Sequence, residues 1–302
     1  MNESIGPLVS IIMPCFNQGQ YVEEAIRSVL AQTYSHFEII VVNDGSTDPF
    51  TVELLHRLDF PKTRVLHTTN QDLPAARNNG IRTCSGDYFL PLDADDKIGP
   101  DYVRQAVEIM RARTEVGAVF CHAEYFGMKR GSVPMRPFSV QELLVDCNVL
   151  CCALFRTEDW RRVGGYKPEM KHTLEDYEFW LSIVSLGREV VILPDCHFYY
   201  RIKSVSRAVS DTDDLYLAMR RKCYEYHRDL YLQHADELFP ELFRLARTRD
   251  RPFWHSLAKT PIRPIGLWLL LQWHRLKELL RLTKAPCSSG PNGRNSGKED
   301  TP

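Results

Sequence analysis

The order of apolar and polar positions divides the chain into two unlike halves. Between Leu8 and Leu92, short β-branched runs alternate with segments whose apolar residues recur at helical spacing, the pattern of a parallel sheet covered by crossover helices. Val9-Ser10-Ile11-Ile12-Met13 predicts the first strand. Val22, Ala25, Ile26, Val29 and Leu30 then put one apolar face on a helix from about Gln20 to Ala31. Phe37 to Val42 is nearly continuous in apolar residues and predicts a second strand. Arg64 to His67 gives a weaker one; Pro74 stands where a first helical position would be, and Gly80 is placed to interrupt or end that helix. Tyr88 to Leu92 predicts the next strand. Pro100 opens a helix with Val103, Ala106, Val107 and Met110 inward, and Ala118 to Cys121 returns to strand.

The second half is less regular. A polar stretch from Gly127 to Pro137 precedes the apolar run Val149 to Phe155, which predicts a buried strand. Thr157 reads as an N-cap, with Glu158 and Asp159 in the first turn and Gly164-Gly165 ending the helix. Another helix is expected from about Leu174 to Leu186, stopped by Gly187, and a strand from Val190 to Leu193. After Ser210 the strand signals cease, and Asp211 to Phe239 predicts one long helix. From Ala285 onward the residues are too polar to fold, and a disordered tail is expected.

Composition narrows the classes. A net charge of −1, with no long Lys/Arg run, gives no reason to expect nucleic acid, so any phosphate recognition must be local. Nine scattered cysteines without a CxxC pair, and an N-terminus without a basic-then-apolar leader pattern, point to a reducing cytosol. Cys151-Cys152 reads as a pair of small buried hydrophobes. The longest apolar stretch, Ile265 to Trp273, is too short for a membrane span, which needs about 20 residues.

In a parallel sheet a ligand lies beyond the carboxyl ends of the strands, and there this chain is consistently polar. Pro14-Cys15-Phe16-Asn17 follows the first strand, Asn43-Asp44-Gly45-Ser46-Thr47-Asp48 the second, and Asp93-Ala94-Asp95-Asp96 the Tyr88 strand. Asp44 is the first acid beyond a buried strand, where an acceptor for a base or a ribose would sit. Three carboxylates at the end of an apolar strand are costly unless a divalent cation neutralises them; hard oxygen ligands suit Mg²⁺ or Mn²⁺. The alternative is a solvated acidic turn. Arg77, on an otherwise small and polar helix, suits a phosphate, the acidic cluster, or a surface ion pair. Glu175-Asp176 are either ordinary first-turn acids or a carboxylate base. Arg201 and Lys203 read either as charge near a diphosphate or as a basic surface loop.

Together these phrases, with Ala75-Ala76-Arg77-Asn78-Asn79-Gly80, Gly164-Gly165-Tyr166 and Leu174-Glu175-Asp176-Tyr177-Glu178-Phe179-Trp180, resemble the family 2 glycosyltransferases. The likeness covers the first hundred residues strongly and continues more loosely to about Arg207. It implies an α/β GT-A fold: a single mixed, mostly parallel sheet flanked by helices, with a C-terminal helical extension. The catalytic domain would span 1–210, divided into a nucleotide-sugar half (about 8–121) and an acceptor half (about 122–210), followed by helices over 211–284 and the tail 285–302. The resemblance further implies that Pro14, Phe16 and Asp44 surround the nucleotide base with Asn17 beside them, and that Arg77 lies near base or phosphate. Asp93-Ala94-Asp95 would be the DxD motif, with Asp95 the nearest ligand of Mn²⁺ or Mg²⁺ and Asp93 the second. Asp176 would be the base of an inverting transfer and Glu175 its neighbour. Asn43 departs from the aspartate common at that position, but Asp44 keeps the acid. The implied reaction moves a sugar from a nucleotide diphosphate, expected to be UDP, to a hydroxyl of a glycan or lipid-linked glycan in cell-surface polysaccharide or lipopolysaccharide synthesis.

Rival classes fit less well. No GxGxxG follows a strand and no GxxxxGK[ST] occurs, which disfavours dinucleotide oxidoreductases and P-loop enzymes. A haloacid-dehalogenase-type phosphatase leaves the Asn43 to Asp48 loop unexplained, and a non-catalytic binding module leaves Asp93, Asp95 and Asp176 without a reason. The basic, Trp-containing C-terminal segment (Arg244, Arg247, Arg249, Arg251, Lys259, Arg263, Arg275, Lys277 and Arg281 beside Trp254, Trp268 and Trp273) suits either peripheral contact with the inner face of the cytoplasmic membrane or helices packed on the catalytic domain with solvated basic faces.

Overall fold

Period-two alternation along the first strands explains why the sheet carries a core on each face. In the computed structural model, which describes residues 6–146, 149–171, 173–203 and 213–248, the chain opens with β1 (Val9–Cys15), α1 (Gly19–Leu30), β2 (Phe37–Asp44), α2 (Pro49–Arg57), β3 (Thr63–Thr68), α3 (Asp72–Arg82) and β4 (Tyr88–Pro91). It continues through β5 (Lys97–Ile98), α4 (Tyr102–Ala112), β6 (Val116–Gly127), β7 (Gly131–Ser132), α5 (Val140–Val145), β8 (Leu154–Arg156), α6 (Thr157–Val163), a 3₁₀ turn (Pro168–Met170), α7 (Glu175–Ser185) and β9 (Glu189–Ile202). Three helices follow: α8 (Asp213–Tyr226), α9 (Arg228–Gln233) and α10 (Ala235–Thr248). Val9, Ile11, Met13, Ile39 and Val41 point to one face, where α1, α2 and α4 cover them. Ile12, Ile40, Val42 and Phe89 point to the other, under α3 and α5 to α9. Successive residues of one strand thus serve opposite cores.

The sheet order is β3-β2-β1-β4-β8-β6-β9-β5, with β7 paired to β6. The long ladders, β1 with β2 and β3 with β2 in the first half and β6 with β9 in the second, are parallel. The short strand β8 enters antiparallel between β4 and β6, which makes the sheet mixed.

Several local expectations change. Gly80 does not end α3, which runs on to Arg82; a Cβ there would lie 2.6 Å from Cγ2 of Ile12, so the glycine lets the helix sit directly on the sheet. α3 begins at Asp72, ahead of Pro74. The sequence reading has no helix at α2, although Asp48 caps it by accepting from the Thr51 N–H at 2.8 Å and Pro49 opens it. Only Leu154 and Phe155 of the Val149 to Phe155 run pair as strand, in β8, which ends on Arg156. Thr157 is a helical residue, not the cap; its hydroxyl donates to the Gly86 carbonyl at 2.7 Å. The single helix expected over Asp211 to Phe239 breaks at His227, whose ring turns inward to the buried Glu178 carboxylate at 2.9 Å.

By packing, the chain divides into Met1–Glu241 and Leu242–Pro302, so the first unit runs past the boundary expected near residue 210. Within it α8 and α9 cover α7: the Tyr177 hydroxyl meets that of Tyr231 at 3.1 Å, and the Arg220 guanidinium lies over the Tyr177 ring. No helix among the described residues is long and apolar enough to cross a membrane. The described cysteines are free thiols. The Trp-rich basic segment from Arg249 onward and the expected tail lie outside the described residues, and so does about half of the helical extension.

Candidate active site

The carboxyl ends of β1, β2, β3 and β4 open into one cleft of about 880 Å³. Pro14 lines it from the end of β1, Phe16 and Asn17 from the loop that follows, Asp44 from β2, Arg77 from α3, and Asp93 and Asp95 from the turn after β4. Glu175 and Asp176 face them from the start of α7. Of the predicted site residues only Ala94 stays away from the wall: its methyl group is fully buried in the core, because the turn sends alternate side chains to opposite sides. Sequence reading missed Asn70, Asp72 and Leu73, which follow the weak strand β3, and Val149, Leu150 and Cys151, hidden in an apolar run. The strand-end rule, applied to β3, finds the first group.

Backbone strain gathers here. Four non-glycine residues among those described have positive φ, and three of them, Asn17 (54°), Asp72 (69°) and Leu174 (63°), line the cleft. Asn17 is held in that conformation by its carboxamide, whose oxygen accepts from the N–H groups of Thr47 and Asp48 at 2.8 and 2.9 Å, tying the loop after β1 to the loop after β2. Phe16 beside it is 44% exposed, a large ring on open surface. Asp44 accepts from the Gln71 N–H at 3.0 Å, and burial raises its carboxyl above the usual range.

The acidic turn is matched by cations from the chain. Arg77, 1% exposed, donates to Asp93 at 2.9 Å and to Glu175 at 3.0 Å, so it pairs with the acidic cluster and bridges the two halves of the molecule. Lys203 places Nζ 2.5 Å from Asp95 Oδ2. Asp96 is buried, accepts from the Arg201 N–H at 2.8 Å, and keeps its second oxygen without a partner; burial and its two acidic neighbours hold it well above the usual carboxylate range. Burial and Asp93 also raise Asp95, against the pull of Lys203. No group of three His, Cys, Asp or Glu side chains among the described residues is arranged to hold a metal alone. Two cleft-facing carboxylates with hard oxygens fit a divalent cation shared with the phosphate oxygens of a ligand, as Mg²⁺ is commonly held.

Across the cleft, Leu174 enters α7 through a left-handed conformation that costs a branched aliphatic residue about 1–2 kcal/mol. That turn brings two acids to the wall with different fates. The Glu175 carboxylate is committed to Arg77. Among the described residues Asp176 has no cation partner at hydrogen-bond distance; burial first, then the Glu175 charge, push its carboxyl up to about 7, with Arg77 opposing. A carboxylate that gains and loses its proton near neutrality is suited to general base work.

Residues 10–166 match the model of glycosyl transferase family 2. A glycosyltransferase of Rickettsia prowazekii, itself uncharacterized, is 30% identical over 233 residues, 72% of each chain. The putative teichuronic acid biosynthesis glycosyltransferase of Bacillus subtilis is 29% identical over 205 residues, 65% of this chain and 79% of its own. Among solved structures, residues 1–349 of Staphylococcus aureus TarS with UDP-GlcNAc superpose with a TM-score of 0.65 at 19% identity, over 85% of this chain and 77% of that one. A mannosyltransferase from Pyrobaculum calidifontis, in complex with GDP-Man and Mn²⁺, gives 0.56 at 18% identity over 89% and 88%. At such identities these structures speak for the fold, the mixed GT-A sheet flanked by helices. The matched residues contain every strand-end motif of the cleft from Pro14 to Asp95, and the chain belongs to glycosyl transferase family 2.

Proposed function

We propose that this chain is an inverting, metal-assisted transferase that moves a sugar from a nucleoside diphosphate, preferentially UDP, to a hydroxyl of a glycan or lipid-linked glycan during assembly of a cell-surface polysaccharide. The observation that carries the reading is the convergence of four strand-end motifs and the Glu175-Asp176 pair on a single cleft. Phe16, Pro14, Asn17 and Asp44 form the wall suited to a base and ribose, where an exposed aromatic ring offers a stacking face and Asp44 an acceptor. Relatives named for teichuronic acid biosynthesis and for chondroitin synthesis, and neighbours solved with UDP-GlcNAc or with GDP-Man and Mn²⁺, support the substrate class.

The reaction is one displacement. The acceptor oxygen attacks the anomeric carbon as the bond to the diphosphate oxygen breaks, and the hydroxyl proton passes to the Asp176 carboxylate. Arg77 holds Glu175 and Asp93 in place, which leaves Asp176 as the acid free to take that proton. Asp95 and Asp93 would hold a Mn²⁺ or Mg²⁺ ion, which when bound would supply positive charge to offset that growing on the leaving diphosphate. A cytosolic setting, at the inner face of the membrane where the acceptor is lipid-linked, accords with free thiols and a nucleotide-sugar donor.

Nucleoside diphosphate release from UDP-, GDP- and dTDP-sugars, each with and without Mn²⁺ and with a broad acceptor set, tests the proposal. One donor should turn over and stop when EDTA removes the metal. Donor binding that raises the melting temperature without turnover on any acceptor would instead make the chain a binding module.

A further inference from the structure

Three cations of the described chain line the cleft, and they are not equally committed. Arg77 is buried between two carboxylates. Arg201 pairs with Glu24, donates through Nε to the Asp95 carbonyl at 2.7 Å, and lies between the rings of Tyr21 and Phe126. Lys203 has one ionic partner among the described residues, the Asp95 carboxylate, besides the Tyr21 ring 5.5 Å away. Its backbone is delivered there by design of the strand end: the Arg201 N–H on Asp96 and the Arg201 Nε on the Asp95 carbonyl staple the last turn of β9 to the acidic turn.

We propose that Lys203 is a resident counter-cation of the metal position, its ammonium occupying in the donor-free protein the side of Asp95 that a divalent ion would take, so that ion and nucleotide diphosphate bind strongly only together. This rests on the metal-assisted reading above. The Asp95 Oδ2 atom, already paired at 2.5 Å, must give up that partner before it can ligate an ion, and the exchange returns little when the ion arrives alone. When the ion arrives with a diphosphate, the released ammonium gains an anionic partner at the same place. Lysine suits such an exchange, since its charge is a point on a flexible four-carbon stem, whereas an arginine fork would stay locked to the carboxylate. The coupling is reciprocal: a protein that binds Mn²⁺ better with UDP binds UDP better with Mn²⁺ by the same factor.

The test needs no turnover. Electron paramagnetic resonance follows the loss of free Mn²⁺ signal as the full chain is added, alone or with saturating UDP or GDP. Wild type should bind Mn²⁺ weakly alone and at least about tenfold more tightly with one nucleotide, the equivalent of about 1.4 kcal/mol of coupling. Lys203→Met should bind Mn²⁺ alone about tenfold more tightly than wild type and lose most of the nucleotide effect; Lys203→Gln, which keeps a polar tip, should follow it, so that a folding defect in one variant does not decide the matter. Lys203→Met and Lys203→Gln with the wild-type Mn²⁺ affinity and the wild-type coupling would overturn the role of Lys203 while leaving the metal-assisted reading intact. Absence of Mn²⁺ binding in every protein, with or without nucleotide, would overturn both.

Discussion

The two walls of the cleft are built by different means. On the parallel side the cleft-lining residues, Arg77 and its neighbours on α3 apart, lie at or directly beyond a strand end, so their place in the sequence fixes their place in space. On the opposite side the wall comes from an irregular apolar run (Val149, Leu150, Cys151), a helix start forced by a left-handed leucine, and the end of the long strand β9. That wall is aimed by contacts reaching back to the first half. Arg77 holds Glu175, and the Asn78 carboxamide holds the Tyr166 backbone through both its atoms, at 2.7 and 2.9 Å, and the Trp160 ring at 3.0 Å. A strand-end rule can locate the cleft, but the placing of the acids opposite it depends on long-range partners.

The largest expected effect belongs to the second wall alone. Asp176→Asn should lower transfer on the order of 10³-fold while the donor dissociation constant changes little, because the amide keeps the shape and loses only the proton acceptor. Wild-type activity should rise with pH along a limb centred near 7, where Asp176 becomes anionic, and that limb should vanish in the variant. The sign for stability is opposite. A carboxyl more easily protonated in the folded chain than in the unfolded one stabilises the fold at low pH, and that contribution is lost as pH rises through about 7. The variant should therefore lose less stability than wild type between pH 5 and 8. Donor titrations, rate profiles and urea melts at the two pH values check these outcomes; an unchanged rate would remove Asp176 as base.

Cutting the joint between the walls comes next. Arg77→Met leaves Asp93 and Glu175 without their buried partner and should cost about 3 kcal/mol of stability. Arg77→Lys should recover only part of it, because one ammonium cannot reproduce a fork that reaches two carboxylates. Denaturation midpoints measure the loss. A midpoint equal to wild type would mean that the two halves are held by packing alone and that the contrast between them is overstated.

How much could be read in advance follows the same division. β1, β2 and the residues after them were legible because buried parallel strands are runs of β-branched residues and polar residues there stand out. The expected cluster of Asp93, Asp95, Asp176 and Glu175 does converge, although Ala94 turns inward and Arg77 becomes a clamp. What escaped was tertiary in origin. Gly80 looked like a helix stop because a propensity scale does not know that Ile12 lies beneath it. The break at His227 has no breaker residue; it is set by Glu178, forty-nine positions earlier. The Val149 to Phe155 run has the composition of a strand, yet β4 pairs only its Phe155 and β6 only its Leu154 and Phe155.

The smallest effect should fall on the first wall and distinguish binding from chemistry. Phe16 lines the cleft with nearly half of its surface exposed and offers a flat apolar face on the same cleft as Asp44. Base stacking on an aromatic side chain is worth about 1–3 kcal/mol, and the exposed position argues for the lower end. Phe16→Ala should then weaken donor binding about tenfold and raise KM by a similar factor, with kcat nearly unchanged, since the ring meets ground state and transition state alike. Phe16→Tyr should restore most of the affinity. A fall in kcat at saturating donor would show instead that the first wall aligns the sugar for attack, and the functional separation of the two walls would fail even though their structural origins differ.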